Sequence, residues 1–296
     1  MSTKIVQPRE VVLTTRTNIA VRRTVPHRDL KRIGAWIFVD HFGPTNQTDG
    51  MVVAAHPHTG LQTVTWLFDG EVEHRDSIGS VQMIEPGQVN LMTAGRGISH
   101  SELSIKRDGV LHAVQLWLAL PNSDRHIAPQ FEHCANLPTF AIGDAVVTVF
   151  AGTLSGMTAP VTMYTDSFGA EVVVPAGGSV PIPVGSTDEV AVLVVEGHVS
   201  VNNTDADCTE LAFVEPGSNS LTITSRTGAR VILLGGSPFT EKLVMWWNFV
   251  ERSHSEIRDV REAWNNGDER FGSFTDRVGG RIPAPDLPSV TLQPRA

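Results

Sequence analysis

Over roughly its first 250 residues the chain never sustains a helical period. Apolar and polar residues instead alternate in runs of a few residues closed by Gly, Pro, Asn or Asp. Thr63–Phe68 (TVTWLF), Ala113–Leu118 (AVQLWL), Ala145–Phe150 (AVVTVF) and Val190–Val195 (VAVLVV) are examples. β-Branched and aromatic residues in short, turn-bounded runs read as strands. The 26 Gly and 18 Pro supply the turns. The segment predicts an all-β fold, and 296 residues at 41% hydrophobic are enough for one or two cores.

The exception lies near the end. Ser253 and Glu256 form an S-x-x-E capping box, Ile257, Val260, Arg261 and Trp264 follow at helical spacing, and Asn265-Asn266-Gly267 is a stop signal. One helix is predicted at about 253–265. The stretch after Gly279 is too rich in Pro for helix or central strand and is predicted to run extended over the surface. Two turns recur in order: Asp69-Gly70 with Glu196-Gly197, 127 residues on, and Glu85-Pro86-Gly87 with Glu215-Pro216-Gly217, 130 residues on. Such turn dipeptides are common, but their repetition with similar flanking strands predicts two related domains. The polar stretch 121–138 marks the boundary, giving domains 1–132 and 133–296.

Charge and composition narrow the function. With 23 Lys+Arg against 32 Asp+Glu the net charge is −9, which disfavours direct contact with nucleic acid or an anionic membrane. No apolar run approaches the roughly 18 residues of a membrane-spanning helix, and no secretory h-region stands at the amino end. Two cysteines, Cys134 and Cys208, make no disulfide framework. A reduced, cytoplasmic setting is the expectation.

Seven of the 11 histidines (His27, His41, His56, His58, His74, His100, His112) fall in the first 112 residues. His56-Pro57-His58 puts two imidazoles on one face of an extended strand, since residues i and i+2 project together. Pro57 favours extended backbone before it and suits an edge or bulge. His100 and Glu102, in Gly95-Arg96-Gly97-Ile98-Ser99-His100-Ser101-Glu102, repeat the spacing. Two such strands facing each other in a barrel would bring three nitrogens and one carboxylate oxygen to a point. That set suits one divalent transition ion, Fe(II), Mn(II), Ni(II), Cu(II), Zn(II) or Co(II), with one or two positions left open. Other chemistries fare worse. Ser99 and Ser101 lack a G-x-S-x-G elbow, and no Gly-rich phosphate loop opens a helix.

These residues carry a resemblance. Gly50-x5-His56-x-His58 with Gly70 resembles the first cupin motif, and Pro86-Gly87 with the later His100 resembles a loosened second one. More specifically, HPHTGLQTVTWLFDGEVEHRDSIGS followed by TAGRGISHSE is similar to the pirin family, and WWNFVERSHSEIRDVREAW is similar to its bacterial members. The resemblance implies two tandem cupin domains, each a β-sandwich or jelly-roll barrel, with a carboxyl-terminal helix and an extended Pro-rich tail. It implies His56, His58, His100 and Glu102 as metal ligands, usually for iron. Gln62 and Thr63 stand where ordinary cupins place the fourth ligand, Glu, and Glu102 takes that role, as in pirins. The second half has no HxH, only a lone His198, so a metal-free barrel is expected there.

Some bacterial pirin-like proteins resemble quercetin 2,3-dioxygenases, which implies a flavonol substrate used with O₂. Glu102 is then the candidate general base for the flavonol 3-hydroxyl. Trp66, Phe68, Met92 and Leu116 are candidate walls for a flat ligand, or else plain barrel core. Gln115 either hydrogen-bonds a ligand histidine or faces solvent, and His74 and Arg96 either line the pocket mouth or lie on the surface. The resemblance also carries a rival from another class: an iron-dependent, redox-responsive regulatory protein that binds a protein partner.

Overall fold

The computed structural model describes residues 2–12, 20–46, 51–104, 109–277 and 279–295, so Gly50 of the first motif lies outside the described residues. The fold is all-β, in two barrels. The strands of the first half are β1 (Thr3–Val6), β2 (Arg9–Val12), β3 (Ala20–Val25), β4 (Trp36–Asn46), β5 (Val52–His58), β6 (Leu61–Asp69), β7 (Val72–Asp76), β8 (Val81–Ile84), β9 (Val89–Thr93), β10 (Ile98–Ser104), β11 (Val110–Ala119) and β12 (Gln130–Cys134). The first barrel joins a seven-stranded sheet, β12-β9-β6-β11-β4-β3-β2, to a four-stranded sheet, β5-β10-β7-β8. β12 carries it as far as Cys134.

The second barrel repeats this layout. Its large sheet contains Ser167–Val174, Glu189–Val201, Leu211–Val214 and Ala229–Gly236, and Gly178–Pro183 pairs Ser220–Ser225 as β5 pairs β10. The correspondence shows which part of the sequence repeat is structural. Gly70 and Gly197 both turn with positive φ, +92° and +79°, Gly70 directly after β6 and Gly197 within Glu189–Val201, just past a register shift at Val194/Glu196. The two Glu-Pro-Gly turns do not correspond. Glu85-Pro86-Gly87 precedes β9, whereas Glu215-Pro216-Gly217 follows Leu211–Val214, the strand in β9's position.

The chain ends cross over. β1 pairs with Leu211–Val214 and so belongs to the second barrel's sheet. Residues 244–295 fold back onto the first barrel. The helix α1 (His254–Asn265) starts where the capping box puts it: Ser253 is the N-cap and accepts from the Glu256 amide at 3.2 Å. Its apolar face, Ile257, Val260 and Trp264, packs with Phe249, Phe271 and Ala284. The Pro-rich tail runs extended but is not wholly superficial. Ala284 is buried, Ile282 donates to the Ala55 carbonyl at 2.8 Å, and Trp264 Nε1 donates to the Ile282 carbonyl at 2.9 Å. No helix among the described residues is long and apolar enough to cross a membrane.

Both faces of the seven-stranded sheet are buried, and successive residues face opposite ways. The row Val39–Leu116–Val64–Leu91, with Val114, Trp66 and Val89 beside it, faces the second barrel. There it meets Phe150, Leu193, Phe213, Ile232 and Leu234. The intervening row, Arg23–Asp40–Gln115–Thr65–Asn90–His133, is polar throughout and faces into the first barrel. The second barrel's interior is aliphatic. Val180, Ile182, Leu221 and Ile223 occupy the inward positions of the strands corresponding to β5 and β10.

The seam between the barrels also buries His41 and His112, whose Nε2 atoms lie 2.8 Å apart. Such a contact requires at least one ring neutral, its Nε2 accepting from the other's Nε2–H. Burial, reinforced by His112, pushes His41 down to about 3, and burial lowers His112 too. An unfolded histidine takes up its proton near pH 6.5. Stability from this pair is therefore complete above pH 6.5 and lost as pH falls from there toward 3. Denaturation curves at pH 7 and 5 should show the native protein weakening. A His41→Leu/His112→Leu variant should weaken less, by up to about 1.4 kcal/mol per pH unit for His41 alone. Parallel pH profiles for the two proteins would rule this out.

Candidate metal centre

The inner face of the four-stranded sheet carries the histidines. β5 pairs β10 antiparallel with His56 opposite His100 and His58 opposite Ile98. On the other side of β10, His100 faces Asp76 and Glu102 faces His74. A bulge in the β5–β10 pairing between His100 and Glu102 shifts the register there. The turn after His58 is closed by Gly60, at φ +69°, where a Cβ would meet the Val250 carbonyl oxygen at 2.0 Å. A glycine is required there because residues 249–251 pass directly over the turn.

One ring nitrogen from each of His56, His58 and His100 lies within 4.8 Å of the others. Ring centroids are 4.3 Å apart for His56 and His100, 5.0 Å for His58 and His100, and 5.1 Å for His56 and His58. Burial drives all three toward the neutral form: His56 falls to about 4, and His58 and His100 drop well below their ordinary value, helped by the neighbouring imidazoles. Neutral imidazole is the ligating form. His100 Nε2 is buried without a hydrogen-bond partner among the described residues, a cost the fold sustains where a ligand fills the gap. His56 Nδ1 is bonded to the Ala54 carbonyl at 2.9 Å, which leaves Nε2 for the centre. The donor set fits a divalent transition ion. Glu102 groups with His100 and His74 and lines the same cavity. Burial raises its carboxyl above the ordinary range.

His74 lies behind the centre and not at a mouth. His100 Nδ1 and His74 Nδ1 are 3.3 Å apart, and His74 Nε2 is 2.9 Å from Asp76 Oδ2. With His100 Nε2 turned to the centre, its Nδ1–H donates to His74 Nδ1, and His74 Nε2–H donates to Asp76. Both nitrogens of His74 are then engaged. Burial works to raise the Asp76 carboxyl, but hydrogen bonds from His74 and the Ser80 amide outweigh it and hold it low. Phe131 stacks on His74 at 4.4 Å and locks the ring. This chain fixes the His100 tautomer, the usual task of a carboxylate behind a ligating histidine.

The centre opens into a cavity of about 270 Å³ with walls from both chain ends. Phe38, Trp117, Phe42, Val21 and Val53 form its apolar sides, and Arg23, Asp40 and Gln115 are polar. Trp247, Asn248 and Ile282 close it from the carboxyl-terminal segment. That segment is tied down: Glu251 accepts from Thr59 at 2.7 Å and from Arg125 at 2.6 Å, while Arg252 donates to the Leu120 carbonyl at 2.7 Å. Trp247 takes φ +53°, costly for a bulky residue and sustained by this anchoring.

Of the wall residues proposed from sequence, Gln115 lines the cavity. Trp66, Phe68 and Leu116 stand on the opposite face of their strands, in the core between the barrels; Trp66 Nε1 donates to Glu171 at 2.7 Å. Met92 is packed with Leu61, Ala94 and Ile98, off the cavity, and Arg96 is exposed. Sequence reasoning passed over Arg23, Asp40, Phe38, Trp117, Trp247, Asn248 and Ile282. Charged Arg23 and Asp40 inside apolar strands were the available signal; nothing local marks the carboxyl-terminal three.

Two stacked cupin-type barrels, one with a converging histidine cluster and one filled with aliphatic side chains, define a bicupin with a candidate metal centre in its first barrel. Comparison with known proteins agrees. The pirin family model matches residues 18–118, and the pirin C-terminal cupin domain matches 169–272. The chain belongs to the pirin family. A Pseudomonas aeruginosa protein provisionally named a quercetin 2,3-dioxygenase is 43% identical over 272 residues, 91% of this chain and 86% of the relative. A crystal structure of a quercetin 2,3-dioxygenase from Acinetobacter baumannii superposes with a TM-score of 0.94 at 37% identity, covering 99% of this chain and 97% of that one. A bacterial pirin from Escherichia coli in complex with nickel(II) shares the fold, with a TM-score of 0.65 at 19% identity over 80% of this chain and all of that one.

Replacing a ligand and replacing its support should differ in degree. His58→Ala should abolish stoichiometric binding of added Ni(II) or Fe(II). His74→Ala should keep the site but weaken it about 10- to 100-fold in chelator competition. Unchanged affinity in His74→Ala would remove the orienting role.

Proposed function

We propose that the protein is a metal-dependent flavonol 2,3-dioxygenase working in the first barrel. The observation that carries this is the convergence of three neutral imidazoles and a buried carboxylate on one mainly apolar cavity. The relatives at 43% and 37% identity bear names of the same activity. His56, His58 and His100 would hold the ion, with Glu102 as the fourth ligand. Bound there, a divalent ion supplies Lewis acidity that favours ionisation of a chelated flavonol's 3-hydroxyl.

The chain's own residues do the rest. Phe38 and Trp117, stacked face to face at 3.9 Å with 10° between their planes, form an aromatic side of the cavity next to His58. A planar ligand lying on it has its chelating edge turned to the histidines. Glu102 is the base: burial has raised its affinity for a proton, and Thr65 Oγ1, 3.5 Å away, steadies the carboxylate without neutralising it. The resulting electron-rich enolate is the species that reacts with O₂. Trp247 and Ile282 keep bulk water away from it.

The test is oxygen consumption. Protein loaded anaerobically with Fe(II) or Ni(II) should consume O₂ when quercetin is added, faster than the same concentration of free ion. Glu102→Gln should retain bound metal, by elemental analysis, and lose activity about 100-fold or more. Uptake no faster than free metal, with every metal tried, would overturn the assignment.

A further inference from the structure

We propose that the Arg23–Asp40 pair is a second recognition pole of the cavity, which hydrogen-bonds a phenolic hydroxyl on the part of the ligand farthest from the chelating edge. The inference rests on the flavonol reading and adds what selects among flavonols.

The two residues are direct cross-strand partners on β3 and β4, and both line the cavity. Asp40 is only 3% exposed. Arg23 Nε donates to Oδ1 at 2.6 Å and Nη2 to Oδ2 at 2.7 Å. Each carboxylate oxygen keeps lone-pair capacity, and Nη1 makes no hydrogen bond to any described residue. The pair is thus half-used, with one free donor and spare acceptors beside open volume.

Its placement links it to the metal end. The guanidinium lies 4.1 Å over the Phe38 ring, Phe38 stacks on Trp117, and Trp117 meets His58 edge-on at 5.1 Å. One stacked column of side chains therefore runs along the cavity from the ion pair to a ligating histidine. Gln115 and Thr65, bonded at 3.0 Å, continue the same row toward Glu102.

Charge decides the class of group recognised. The pair is neutral overall, and the nearby Arg9, whose charge also reaches Asp40, is exposed to solvent, which screens it. A carboxylate or phosphate would gain from Arg23 and lose to Asp40. A hydroxyl loses nothing: it donates to the Asp40 carboxylate and accepts from Arg23 Nη1. Packing alone gives little reason for such a pair, since buried ion pairs stabilise no better than well-packed apolar residues of similar size.

Calorimetric titration of the Ni(II)-loaded full chain without oxygen tests this. Quercetin carries hydroxyls on both outer rings; 3-hydroxyflavone has only the chelating hydroxyl and carbonyl. The wild type should bind quercetin about tenfold or more tighter than 3-hydroxyflavone, as expected for hydrogen bonds to charged groups. Arg23→Leu/Asp40→Leu should bring the two affinities together while metal content stays at the wild-type level. Equal wild-type affinities would overturn the proposal whatever the variant does, and so would a preference that survives in a folded variant. If the metal-loaded wild type binds neither compound, the flavonol reading falls first and takes this pole with it, a result distinct from equal binding of both.

Discussion

The organisation depends on one sheet that is buried twice. The seven-stranded sheet of the first barrel seals against the second barrel on one face and lines the cavity of the candidate metal centre with the other. Because strand side chains alternate, each strand must satisfy two environments at once. Leu116 and Val64 serve the seam, whereas Gln115, Trp117 and Thr65 serve the interior. The seam is aliphatic and aromatic. The interior carries a polar row from Arg23 to His133. The second barrel thus gives the first a rigid back wall.

That arrangement explains what the sequence revealed and what it hid. Turns and strands were legible because Gly, Pro and β-branched residues act locally. The helix was legible for the same reason, since Ser253 caps its own third residue. The histidines were legible because i and i+2 share a face on any strand, and β5 and β10 happen to be neighbours. Which face of β6 or β11 looks inward was not legible. In a strand buried on both sides, hydrophobicity carries no phase, so Trp66 and Trp117 look equally suited to a pocket. Long-range closure was also hidden. Nothing near Trp247 or Ile282 announces that they travel back to the first barrel. The Glu-Pro-Gly repeat shows the opposite hazard, a turn signal strong enough to recur in strands that do not correspond.

The two barrels differ where chemistry differs. Their strand pairings match around the four-stranded sheet of the first barrel, yet three inward imidazoles in one stand against Val180, Ile182, Leu221 and Ile223 in the other. Filling those positions with aliphatic groups converts a low-dielectric cavity that must be relieved by a ligand into an ordinary close-packed core. Desolvation, helped by the neighbouring imidazoles, is what holds the imidazoles neutral; the same burial applied to Val and Ile has nothing to ionise.

The crossing of the chain ends deserves its consequence. β1 completes the sheet of the barrel it does not begin, and residues 244–295 roof the barrel they do not belong to by sequence. A chain laced in this way has no cut point that yields two self-sufficient halves: each lobe would lose an edge strand or a ceiling to the other. Its lobes are therefore bound to stand or melt together, and the pocket exists only while both crossings hold.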